Sequence, residues 1–200
     1  MRERANLRLS FVSSPTTQAA PEFHRALAEL STMSWRAGLG VAEIGSPQRI
    51  APHGVAISGD LTEGPETLGT GRLILLHDPL GNEAWEGDFR VVTYVHADVE
   101  QEFVTDPLLP DAAWSWLTDA LEGQGARHHS LAGTVTASFG QGFGQLSNRQ
   151  AEVEIRASWT PVLDARYGFV PHLRAWQDLL FQISGRPPLP NGVVQFPGRS

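Results

Sequence analysis

"FRVVTYVHADV", residues 89–99, alternates more regularly than any other stretch of this chain. Phe89, Val91, Thr93, Val95, Ala97 and Val99 share one face of an extended segment. Arg90, Tyr94, His96, Asp98 and Glu100 mark the other. A period of two with this polarity is that of a β-strand whose apolar side is buried and whose polar side is not.

Reading outward gives the neighbours. Residues 72–77 form an apolar run suited to a central strand, and Asp78-Pro79-Leu80-Gly81-Asn82 is turn chemistry that folds it back on 89–99. Further upstream, residues 55–58 alternate and end at Gly59-Asp60, and 41–45 read as a strand stopped by Ser46-Pro47. Pro21 opens a helix, with Phe23, Ala26, Leu27, Leu30 and Met33 at helical spacing and Gly38 and Gly40 closing it. Downstream, Asp111 stands as an N-cap for a helix through Glu122 that Gly123 and Gly125 terminate. Residues 133–139 and 151–159 read as strands joined by "GQGFGQ", with Val153, Ile155, Ala157 and Trp159 inward. A last helix from Pro171 carries Val170, Leu173, Trp176, Leu180 and Ile183 as its stripe, until Gly185 and Pro187-Pro188 stop it.

Two phrases recur: "AWSWLTDALEG" at 113–123 and "AWQDLLFQISG" at 175–185. Sliding the chain by 62 residues lays Gly71 on Gly133, Val91 on Val153 and Trp114 on Trp176. This gives pseudo-repeated hairpin–helix units over 71–123 and 133–185. Neither unit can bury its helix stripe alone, so the two are expected to share a core. The expectation is an α+β fold in a single domain, a mainly antiparallel sheet packed by three helices. The order is α-β-β-β-β-α-β-β-α, or one strand fewer if 41–45 is irregular. The shorter order resembles that of type III secretion chaperones and YbjN proteins, in topology alone. Residues 1–19 read as a disordered tail, 20–186 as the domain and 187–200 as a Pro-rich tail.

Composition narrows function. The 200 residues contain no cysteine and no lysine, all fifteen Lys/Arg positions being arginine. Thiolate nucleophiles, zinc–thiolate sites, Schiff-base chemistry and the P-loop lysine are thereby excluded, and no cofactor is expected. The net charge of −7 argues against general nucleic-acid binding. No apolar run approaches the roughly 20 residues of a membrane span. The basic, Ser/Thr-rich N-terminus lacks a secretory apolar region, so a cytoplasmic location is expected.

"GRLILLHDPLGNEAWEGDFRVVTYVHAD" (71–98), "DPLLPDAAWSWLTDAL" (106–121), "GTVTASF" (133–139) and "EVEIRASWTP" (152–161) closely resemble an actinobacterial family catalogued as domain of unknown function three thousand. The resemblance spans roughly residues 20–187. It implies a bacterial cytoplasmic protein encoded near haem-biosynthesis and ribonuclease D-like genes, from which an accessory role in haem or RNA metabolism is one reading. It supplies no site residues.

The residues themselves offer two other readings. His96, Asp98 and Glu100 form an H-x-D-x-E line on one face of a strand. Such a line can converge on a divalent cation if a facing strand adds ligands; it is also what the polar face of a half-buried sheet is expected to carry. With His77, beside the Asp78 turn, these are the candidate catalytic residues, and no metal is assigned. "GQGFG" lacks the lysine and following helix of a phosphate loop. No arginine falls between Arg90 and Arg127, while Asp98, Glu100, Glu102, Asp106, Asp111, Asp119 and Glu122 all do. Tryptophans at the rim of such an acidic face suit a protein-binding surface, here Trp85, Trp114 and Trp116 with Glu102, Asp106 and Asp111. The preferred expectation is a non-enzymatic protein-binding or regulatory module, self-associating through a helix or sheet edge. The alternative is a metal- or small-molecule-dependent enzyme.

Overall fold

A computed structural model describes residues 19–47, 49–146 and 149–187. The terminal tails read from the sequence otherwise lie outside the described residues. The elements run α1 (Pro21–Thr32), β1 (Leu39–Ile44), β2 (His53–Glu63), β3 (Glu66–Asn82), β4 (Gly87–Asp98), α2 (Gln101–Val104), α3 (Leu109–Gly123), β5 (His128–Gln141), β6 (Arg149–Pro161) and α4 (Val170–Ile183). The strands form one antiparallel sheet in the order β1-β2-β3-β4-β6-β5. This is the expected α+β order, with β1 a true edge strand and one added turn of helix, α2, too short to leave a periodic signal.

The three long helices share one face of the sheet. Phe23, Leu27 and Leu30 of α1, Leu117 and Leu121 of α3, and Leu173, Trp176 and Leu180 of α4 meet Ile57, Leu73, Leu75, Val91, Val95, Val153 and Ile155 in a single core. Proline stands in the first turn of each of these helices, where its missing N–H leaves no bond unmade. Helix α3 accordingly starts at Leu109, and Asp111 lies inside its first turn rather than capping it. Helix α4 is capped from outside: Glu29 Oε2 of α1 accepts from the Phe169 and Val170 N–H groups, and Glu29 Oε1 is held by Arg25 Nε at 2.9 Å. A carboxylate at a helix N-terminus satisfies orphan donors and opposes the helix dipole.

Gly59, expected to end a strand, lies inside one. It pairs with Gly71 across β2 and β3, and both lie under one indole. An added Cβ would stand 2.7 Å from Trp176 Cη2 at Gly59 and 3.0 Å from Trp176 Cζ2 at Gly71. The same device recurs on the other side: a Cβ at Gly133 of β5 would stand 2.8 Å from Trp114 Cζ3. Glycine is needed where a bulky ring approaches the sheet this closely.

The register makes the two hairpins correspond. Moving the Gly71–Val95 pair of β3–β4 along the chain by 62 residues gives the Gly133–Ala157 pair of β5–β6. Where the hairpins join, Tyr94 of β4 pairs with Arg156 of β6, its own counterpart under that shift. A local two-fold axis therefore passes through the Tyr94–Arg156 pair. Across it the helices are exchanged, because Trp176 lies on Gly71 and Trp114 on Gly133.

Candidate functional site on the open face of the sheet

In β4, the burial alternation buries Phe89, Val91, Thr93, Val95 and Ala97 under the helices. Arg90, Val92, Tyr94, His96 and Asp98 consequently point to the opposite face. At the centre of that face is a shallow basin of about 690 Å³ lined by Arg72 and Ile74 of β3, Val92 and Tyr94 of β4, and Arg156 and Ser158 of β6, with the β5 residues around Thr134 as its far wall. Most of these side chains are half-buried or exposed, so the basin is broad rather than enclosed.

The polar groups fall into a cationic and an acidic part. Arg72 is exposed and its guanidinium has no ion pair or hydrogen bond among the described residues. Arg156 Nε meets Glu154 Oε1 at 2.7 Å, and its guanidinium lies 5.6 Å from the Tyr94 ring centre. Burial, followed by hydrogen bonding to Glu154, raises the Tyr94 phenol above its ordinary range, which keeps it a neutral donor. Arg90 is spent internally: its guanidinium donates to the Ser130 carbonyl at 2.9 Å, Thr160 Oγ1 at 3.0 Å and Ser158 Oγ at 2.7 Å.

Beyond Tyr94 the acidic part begins. The His96 ring lies parallel to Tyr94, with centres 6.5 Å apart. Its Nε2 stands 3.4 Å from Glu152 Oε2, and one ligand atom from each of His96, Asp98 and Glu152 fits within 4.8 Å of the others. Asp98 and Glu152 are a cross-strand pair. The facing strand thus supplies a third group of the kind the H-x-D-x-E line needs, and it is Glu152. Glu100 does not join, because β4 ends at Asp98 and Glu100 lies at the start of α2. The alternation of Glu152 on β6 was visible in the sequence; the β4–β6 pairing was not.

His77 lies on the helix side, fully buried. Its ring stacks on Phe89 at 4.4 Å and on Phe23 at 5.5 Å. Nε2 accepts from the Ala20 N–H at 3.0 Å, so Nδ1 carries the proton and donates to the Asp88 carbonyl at 3.1 Å. Burial lowers its pKa, and it is not brought together with His96.

The acidic docking surface read from the sequence is also dispersed. Glu102, Asp106 and Asp111 are exposed around α2 and the start of α3, beside exposed Phe103 and Leu108. Trp85 is only 8% exposed, in a 3-10 turn whose carbonyl accepts from the Thr160 hydroxyl, and the length of β4 separates it from those acids. Trp116 is half-buried, and Trp114 is engaged over Gly133.

Among the described residues, an antiparallel sheet with helices on one face and a cationic–aromatic basin on the other defines a two-layered α+β scaffold whose second sheet face is uncovered. A sequence-family model described as a protein of unknown function (DUF3000) matches residues 19–194, and the chain belongs to that family. No curated protein and no solved structure matches it. Among the described residues, no helix is long and apolar enough to cross a membrane.

Proposed function

We propose that this chain is a non-enzymatic binding or regulatory module that works through the open face of its sheet and takes an acidic, partly apolar segment of a protein partner. The observation that carries the reading is the central basin, where Arg72, without an ion pair among the described residues, stands beside Tyr94, Ile74 and Val92. Guanidinium groups match carboxylates bidentately, and the tyrosine and aliphatic floor supply apolar area at small entropic cost. A broad depression suits a chain segment better than an enclosed small molecule. Relative to the sequence-derived expectation, this moves the binding surface from Trp85, Trp114 and Trp116, the last two of which pack on the helix side, to the centre of the open face. Affinity capture from the native host with wild type, Arg72→Glu, Tyr94→Ala and Asp111→Asn tests it. A partner bearing an acidic segment is expected to bind wild type and Asp111→Asn and to be lost from the other two. A partner held equally by all four would sink the reading.

A second reading, a metal-dependent activity, is favoured by one observation: Glu152 joins His96 and Asp98 across the β4–β6 ladder. Carboxylate and imidazole ligands on neighbouring strands suit a divalent ion such as Mn²⁺ or Zn²⁺. Calorimetric titration of tag-free protein with either ion is expected, on this reading, to give one saturable site that His96→Ala and Glu152→Gln both abolish. Absence of saturable binding removes it.

A further inference from the structure

The two edges of the sheet are built differently. β1 is short (Leu39–Ile44), carries Glu43 and runs into Gly45-Ser46-Pro47, all features that discourage a strand from pairing there. β5 at the other edge is long (His128–Gln141). From Ser130 to Asn148 the sequence holds neither a charged residue nor a proline, in a chain of net charge −7. β5 pairs only with β6, and residues 131–141 make no backbone hydrogen bond outside that ladder among the described residues. Phe139 is 44% exposed and Phe143 81% exposed.

We propose that β5 is the seam of a homodimer, pairing antiparallel with β5 of a second copy about a two-fold axis at Thr136. A second copy fits this edge better than a charged foreign strand, because an uncharged strand set against itself brings no like charges together. The register follows from the side chains. With Thr136 opposite its own counterpart, Thr134 faces Ser138 of the other copy, giving hydroxyl pairs on the open face. On the helix face Gly133 then faces Phe139 of the other copy, whose exposed ring comes beside the Trp114 indole that already lies over Gly133. The two open faces fall on the same side of one continuous sheet, so the dimer presents two basins to a partner.

The absence of cysteine from the chain makes the test direct. Light scattering of the full chain at micromolar concentration is expected to give twice the chain mass, and added salt to tighten the dimer by screening the net negative charge. Thr136→Lys sets two ammonium groups face to face and is expected to weaken self-association roughly tenfold or more, with an unchanged circular-dichroism spectrum. Under mild oxidation Thr136→Cys is expected to cross-link. Ser138→Cys is not, because its two copies stand too far apart for a disulfide. A wild-type monomer, a Thr136→Lys variant as dimeric as wild type, or equal cross-linking of the two cysteine variants overturns the seam.

Discussion

His172 is 1% exposed, accepts from Trp159 Nε1 at 3.1 Å, and has its pKa pushed down to about 3, by burial first and by His128 second. Between pH 6.5 and that value only the unfolded chain takes up the proton, so the stability conferred by the neutral ring is complete above about pH 6.5 and drains away as pH falls. The loss from this residue is about 2 kcal/mol by pH 5, and His77, lowered in the same direction by burial, adds to it. Urea unfolding at pH 7 and pH 5 checks this, and His172→Gln is expected to flatten the difference. A second residue-scale outcome concerns Gly133. It is exposed by area, yet an added Cβ would stand 2.3 Å from the Arg156 carbonyl oxygen as well as against Trp114. Gly133→Ala is expected to destabilise by about 1–3 kcal/mol in thermal unfolding, as overpacking does, where surface position alone would predict almost nothing.

At the scale of elements, the α1–α4 junction depends on Glu29. Removing its carboxylate leaves the Phe169 and Val170 N–H groups unpaired, so Glu29→Ala is expected to cost about 1–2 kcal/mol, measured by urea unfolding. Trp176 depends on shape. Its Nε1 has no hydrogen-bond partner among the described residues, and its ring fills the space above Gly59 and Gly71. Trp176→Ala is expected to cost about 3–5 kcal/mol and Trp176→Phe clearly less. These elements also mark what the sequence made legible. The strand at 89–99, the helix stripes and the twin phrases around Trp114 and Trp176 follow from local periodicity, and they lie where it puts them except at two ends: Val99 falls just past β4 and Met33 just past α1. Gly59 was read as a strand end because the ring that requires a glycine there comes from α4, far along the chain. Trp85 was read as a rim residue; the Thr160 hydroxyl, from the end of β6, bonds the carbonyl of its turn, and the ring is buried. Helix α2, at Gln101–Val104, is too short to show a period.

For the molecule as a whole, local pattern foretold that β4 has a polar face and that β3 lies beside it, but not which strand lies on its other side. The β4–β6 pairing brings Arg156 to Tyr94 and Glu152 to Asp98. Nothing in the spacing of the two segments encodes that contact, so the basin was invisible as a site, and of the His96–Asp98–Glu152 group only His96 and Asp98 were visible as candidates. The same pairing joins the two hairpins about Tyr94–Arg156, and the exchange of helices across that line buries all of their stripes on one side. Among the described residues nothing covers the other side of the sheet, and on the proposed function that side is the one that binds. Site-specific photo-crosslinking tests that claim most directly, with a photoreactive amino acid placed at Val92 in the basin or at Asp111 on the acidic helix, expressed in the native host. The account predicts a discrete protein adduct from position 92 and none from 111; an adduct from 111 alone would contradict it.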